Sequence, residues 1–231
     1  MTIVETYHKK LLKYKNKHID ETCYIFGSGP SINKFKIQEK GIFIGCNHII
    51  KNDYIRSNLK YYFFGHGYID HNNDNDKLYG NHKKEVNNLE YDIEKFAMVS
   101  RNNDLNVHNF TQETINELYN INAIPCDLNI TNYYTDLHKN PFMNHSIVLP
   151  ACQFALYAGF KTIYLVGCDC SGYYHSNSFD LQDKNPHIDT GLIDWWSKLY
   201  IHKNTYYPET KIINLNPVGL KELMDNDLIL T

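Results

Sequence analysis

A chain of 231 residues, 42% hydrophobic and 21% charged, is long enough for one large α/β core and too rich in apolar segments to stay disordered. Its formal net charge of -3 gives no electrostatic footprint for nucleic acid, and no apolar run approaches the roughly 18 residues of a membrane-spanning helix. Residues 1–20 are Lys-rich with no apolar core of a signal peptide. The spacing of Ile3, Tyr7, Leu11 and Leu12 predicts instead an amphipathic N-terminal helix over 1–20.

The first strand is Cys23-Tyr24-Ile25-Phe26, which ends abruptly in Gly27-Ser28-Gly29-Pro30-Ser31-Ile32. Gly27 and Gly29 admit positive φ and close backbone approach, Pro30 suits a first helical turn, and Ser28 or Ser31 can cap the next stretch of backbone. Such a turn is either a plain strand-helix junction or a place where free N–H groups meet an anion. It matches neither the dinucleotide nor the Walker fingerprint. A second strand, Ile42 to Cys46, ends at Asn47-His48, and a third, Leu59 to Phe64, ends at Gly65-His66-Gly67. Three strands that all end in Gly-rich or polar residues predict a parallel sheet with its ligand groups along one edge.

Residues 70–90 form a polar excursion; Asp74-x-Asp76 within it has the spacing of a metal-gripping acid pair, but Asp225-Asn226-Asp227 shows how cheaply the pattern arises here. Phe96 to Val99 predicts a fourth strand, Thr111 to Tyr119 a short helix and Ile121 to Cys126 a further strand. From Asp127 to Asn144 the periodicity fades into loops and a cap. Ser146 to Gly159 reads as a buried helix with Pro150 in its first turn and Gly159 as its C-cap. Lys161 to Gly167 comes next as a central parallel strand that delivers Asp169 to the sheet edge, as a ligand or as an anchor for the neighbouring loop. The long loop over 170–190 carries His175, Asn177, Asp180 and His187. After it come a helix capped by Asp189 or Thr190, with Leu192, Trp195, Trp196 and Leu199 on one face, a last strand from Lys211 to Leu215, and a short helix from Asn216-Pro217. The fold class read from this order is a Rossmann-like, doubly wound α/β domain over 1–231, with a mainly parallel sheet and a polar lid.

Six cysteines lie mostly in or beside apolar segments, where a reduced thiol behaves as a small hydrophobe; a cytoplasmic setting fits. Cys168-x-Cys170 lacks the spacing and second ligand pair of a zinc site, so no metal site is expected.

The joint pattern of Gly27-Ser28-Gly29-Pro30-Ser31-Ile32, Cys46-Asn47, the unit Ala158 to Asp169, and Ser178-Phe179-Asp180-Leu181-Gln182-Asp183-Lys184-Asn185 ahead of a histidine resembles the small Rossmann-like bacterial sialyltransferases and the related motility accessory factors. The resemblance implies a CMP-activated nonulosonic sugar as donor, inverting transfer to the hydroxyl of a glycan or glycoprotein acceptor, no obligatory cofactor, and a possible homo-oligomer. It places donor and nucleotide contacts on Gly27, Ser28, Gly29, Pro30, Ser31 and Asn47, and Asp169 and Asp180 stand beside them as further candidate substrate- or nucleotide-binding residues. His187 would be the base that takes the acceptor proton, a role a neutral imidazole suits. Where such enzymes carry two tyrosines that donate to the leaving phosphate, this chain has Ser171 and Asn177, with Tyr173, Tyr174 and His175 close by. Two other readings stand beside it. One is a diphosphotransferase resembling the archaeal pterin pyrophosphokinases, with Asp169 holding Mg²⁺ and ATP; the other is a non-catalytic relative that binds a nucleotide, a glycan or a protein.

Overall fold

The computed structural model describes residues 10–34, 36, 37, 39–65, 85, 86, 88, 89, 92–100, 121–127, 132–138, 142, 143, 146–170, 190–215 and 220. The helix expected over 111–119, the one from Asn216, and most of the two loops at 70–90 and 170–190 lie outside them.

Eight strands form one sheet: β1 (Thr22–Phe26), β2 (Ile42–Cys46), β3 (Leu59–Gly65), β4 (Glu94–Ser100), β5 (Ile121–Asp127), β6 (Phe142–Met143), β7 (Thr162–Val166) and β8 (Lys211–Asn214). Every pairing is parallel, in the order β6-β5-β4-β3-β2-β1-β7-β8. The helices are α1 (Asp53–Arg56), α2 (Val148–Ala158) and α3 (Thr190–Tyr206). The chain lays strands outward from β1 to β6, then returns through α2 to place β7 on the other side of β1. This is the Rossmann-like α/β architecture expected, with its reversal of strand order between β1 and β7.

Apart from Leu59, which lies beside a register shift between β2 and β3, the strand residues alternate between two cores, as a pleat of period two requires. Cys23, Ile25, Ile44, Tyr61, Phe63, Phe96, Ile163 and Leu165 face α2 and α3, where they pack with Leu149, Phe154, Trp196 and Leu199. Tyr24, Phe26, Phe43, Tyr62, Phe64, Tyr164 and Val166 face the opposite layer of Ile32, Ile49, Ile50, Ile55, Val86 and Leu89. Burial on both faces explains why these strands read as nearly unbroken apolar runs. α2 is buried along its whole length and stops at Gly159, whose φ of 87° is the left-handed cap anticipated. Among the described residues no helix is long and apolar enough to cross a membrane.

Two expectations are corrected. The N-terminal helix does not run to residue 20: it closes as a 3₁₀ turn at Leu12–Tyr14, and Asn16 (φ 56°) and Asp20 (φ 63°) turn the chain away in left-handed conformations that no helix continues through. Leu11 and Tyr14 are buried while Leu12 is 48% exposed, so only part of the anticipated apolar face reaches the core. The segment after β5 is not wholly loop or cap either. It supplies β6, and Tyr133 and Leu137 enter the core beside α2 and α3.

After Tyr14 the chain seals the C-terminal end of α2. Asn16 N–H donates to Tyr157 O at 3.1 Å and His18 N–H to Ala158 O at 2.8 Å. The His18 ring stacks on Phe160, with centroids 4.5 Å apart, and its nitrogens pair with Tyr61 Oη at 2.6 Å and Glu21 Oε2 at 3.1 Å. Burial lowers its pKa against the opposing pull of Glu21. On α3, His202 lies among Tyr133, Tyr206 and Tyr207, and burial pulls its pKa down to about 4. Both imidazoles are therefore favoured neutral in the fold. The unfolded chain takes up these protons first, so stability should be full above about pH 6.5 and fall progressively as the pH drops from there toward 4. Urea unfolding across that range should show the fall, and His202→Phe should flatten it.

Candidate functional site

The reversal of strand order leaves a crevice outside the C-terminal ends of β1 and β7, the usual ligand position in an open α/β sheet. The sequence delivers two glycine-containing turns there, Gly27 to Ser31 after β1 and Gly167 to Cys170 after β7. The two are locked together. Gly27 N–H donates to Val166 O and Gly29 N–H to Gly167 O, each at 2.8 Å.

No side chain fits at this crossing. A Cβ on Gly27 would stand 2.5 Å from Gly167 O, and one on Gly29 would stand 2.5 Å from Asp169 Oδ2 and 2.7 Å from Gly167 O. Close approach, rather than positive φ, is why glycine occupies 27 and 29. The left-handed glycine is Gly167, with φ of 66°. The sequence signal for it was present, since Gly167 ends an apolar strand just as Gly27 does.

Asp169 is 5% exposed and Ser31 is 7% exposed. Ser31 N–H donates to Asp169 Oδ2 at 2.8 Å, and the Ser31 hydroxyl donates to Oδ1. Of the two roles open to Asp169, the geometry displays the anchor: both carboxylate oxygens hold the turn after β1. Charge-assisted bonds of this kind are roughly twice as strong as neutral ones, and here they are shielded from water. Ile32 N–H closes the turn on Gly29 O at 3.2 Å, and residues 30–34 continue as a 3₁₀ helix. Pro30 contributes no N–H. Ser28, half-buried, thus carries the one N–H of the turn from Gly27 to Ser31 that has no partner among the described residues.

Asn47 lies one strand over, at the end of β2, with φ of 50°. Its Oδ1 accepts from Gly65 N–H at 3.3 Å and its backbone carbonyl accepts from Tyr62 Oη at 2.7 Å. Tyr62 did not stand out in the sequence, because it reads as an ordinary member of β3, and Gly65 was marked only as part of the Gly-rich ending of that strand. Behind the crevice lie Cys46, Cys152 and Cys168 as free, buried thiols, and burial pushes the Cys152 and Cys168 thiols well up, so they stay neutral. Among the described residues no three His, Cys, Asp or Glu side chains are grouped to hold a metal ion.

The structure thus assembles Gly27, Ser28, Gly29, Pro30, Ser31, Asn47 and Asp169 along one sheet edge, with Gly29, Ser31 and Asp169 in direct contact. Ser171, Asn177, Asp180 and His187 lie outside the described residues.

No family model and no curated protein matches the chain. Solved structures do. A complex of the sialyltransferase CstII from Campylobacter jejuni with the substrate analogue CMP-3FNeuAc superposes with a TM-score of 0.51 at 18% identity, covering 89% of this chain and 86% of that one. A complex of the same enzyme with cytidine-5'-monophosphate gives a TM-score of 0.49 at 16% identity over 85% and 80%. At such identity the likeness establishes the fold.

The lock itself is open to test by urea unfolding at neutral pH. Ser31→Ala should cost about 1.5–3 kcal/mol by removing the hydroxyl donor from a buried carboxylate whose other oxygen keeps the residue-31 amide. Gly29→Ala should cost about 1–3 kcal/mol by displacing Asp169, and the double variant should lose less than the sum, because both changes break one contact.

Proposed function

We propose that this chain is a glycosyltransferase that uses a nucleotide-activated sugar, with a CMP-activated nonulosonic acid as donor and inverting transfer to an acceptor hydroxyl. The observation that carries the reading is the hydrogen bonding of the glycine turn. Gly27, Gly29 and Ser31 spend their amides inside the fold, and Ser28 keeps the one N–H of that turn without a partner among the described residues. A diphosphate is ordinarily cradled by several successive amides. A single amide suits the lone phosphodiester of a nucleoside-monophosphate-activated sugar. The likeness in fold to a sialyltransferase holding CMP-3FNeuAc supports the same choice.

In this reading Ser28 and Asn47 contact the nucleotide and its phosphate, and His187 takes the proton as the acceptor hydroxyl attacks the anomeric carbon from the face opposite the departing CMP. Ser171, Asn177 and Asp180 come from the same loop as His187 and serve donor binding, with Ser171 and Asn177 toward the leaving phosphate. The acceptor is a glycan or glycoprotein, and the step asks for no metal. A diphosphotransferase would need Asp169 as a magnesium ligand, and the engagement of both its oxygens with Ser31 favours the sugar-transfer reading over it.

A thermal-shift comparison of CMP, UDP, GDP and ATP, the last with Mg²⁺, tests the assignment. CMP should raise Tm most, since a ligand at a hundred times its Kd adds about 2.7 kcal/mol of stability. Stabilisation by ATP and Mg²⁺ alone would move the chain to the diphosphotransferases, and no response to any nucleotide would make it a glycan- or protein-binding relative. His187→Ala should slow transfer by about 10²–10⁴-fold while CMP binding stays within a few-fold.

A further inference from the structure

We propose that Tyr62 is a positioning residue, which together with the Gly65 amide holds Asn47 so that its side-chain N–H pair is the face offered to the ligand; this rests on the reading of the sheet edge as a nucleotide site. Asn47 is one of the few non-glycine residues with positive φ, at 50°, and it sits where β2 gives way to the 3₁₀ helix Asn47–Lys51. Asparagine enters this region more readily than most side chains, and surrounding contacts fix it there. Two contacts do so here, and both come from β3, the neighbouring strand. The Tyr62 hydroxyl donates to the Asn47 carbonyl at 2.7 Å, and Gly65 N–H donates to Asn47 Oδ1 at 3.3 Å.

The second contact fixes which way the carboxamide faces. A flipped amide would set its NH₂ against the Gly65 N–H, donor to donor, so the oxygen stays inward and Nδ2 is left to donate elsewhere. Nδ2 has no partner among the described residues and is not sealed from solvent. The site therefore receives a neutral, one-way hydrogen-bond donor, suited to an anionic or carbonyl oxygen. Tyr62 is fully buried on the face of the sheet that packs against Ile49 and Ile50. It touches the ligand nowhere and acts through the Asn47 backbone.

Calorimetric titration with CMP on the wild type, Tyr62→Phe, Asn47→Ala and the double variant reads this directly. Tyr62→Phe should weaken CMP binding about 5- to 20-fold, the loss expected for one buried hydrogen bond. The double variant should bind no more weakly than Asn47→Ala alone. Tyr24→Phe removes a comparable hydroxyl, one that donates to Glu39 O at 2.9 Å away from the site, and should leave affinity unchanged. Wild-type affinity in Tyr62→Phe overturns the proposal, as does an equal loss on the Asn47→Ala background, because the effect would then bypass Asn47. Hydrogen exchange of the Gly65 amide in the ligand-free protein gives a reading independent of any nucleotide. Exchange should quicken at Gly65 in Tyr62→Phe while the rest of β3 keeps its protection, and unchanged exchange there overturns the proposal. If the wild type binds no CMP, the donor assignment fails and the Gly65 exchange alone decides the role of Tyr62.

Discussion

The carboxylate of Asp169 accepts both the amide and the hydroxyl of Ser31 in a place that water scarcely reaches, and the joining of the turns that follow β1 and β7 depends on that exchange. Ionised oxygens with two such donors are compensated for burial, whereas either strand end alone would leave unpaired polar groups in the crevice floor. The glycines at 27, 29 and 167 answer to the same constraint, because two backbones brought within hydrogen-bonding distance across three successive residues leave no room for Cβ atoms. The turn that looks from sequence like an anion cradle is thus mainly a clamp. Its capacity to bind is confined to the groups the clamp does not use, and that narrowness selects among ligands.

A similar division of labour holds one strand further along. Asn47 is positioned from β3, so three adjacent strands each give something to the crevice: β7 the anchor, β1 the turn, β2 the carboxamide with β3 behind it. The scaffold under them is stiff for a plain reason. Aromatic rings pack on both faces, with Phe63 stacked on Phe96 at 4.6 Å on one side and Tyr24 on Tyr164 at 5.0 Å on the other. Each buried ring adds about 1.5–3 kcal/mol of burial along with a fixed geometry. Rigid strands hold their end residues in register, and a site built from strand ends inherits that precision.

Much of this was legible in the residues. Apolar runs with abrupt Gly or polar endings located β1, β2, β3 and β7, because strands buried on both faces leave a local signature that needs no knowledge of partners. The cap at Gly159 was equally plain, since it rests on one residue's φ. The features that escaped the sequence depend on contacts between distant residues. Gly27 and Gly29 carry the usual mark of left-handed turns, yet they are glycines because Gly167 and Asp169 press against them. Tyr62 is one tyrosine among nineteen, and its role comes from a carbonyl just beyond the end of the neighbouring strand β2. The early end of the N-terminal helix is set by where α2 finishes, through the bonds of Asn16 and His18 to its last carbonyls.

The separation of Ser31 from Asp169 by 138 residues has a consequence for how the molecule comes into being. β1 sits beside β2 in the sheet and can pair with it early, but its other edge stays bare until β7 arrives after five intervening strands and α2. Contacts that span so much chain are entropically slow to close. The crevice therefore has no partial form: a nascent chain that has made β1 through β6 still lacks one of its two walls, and competence to bind appears late, as the mark of a finished sheet.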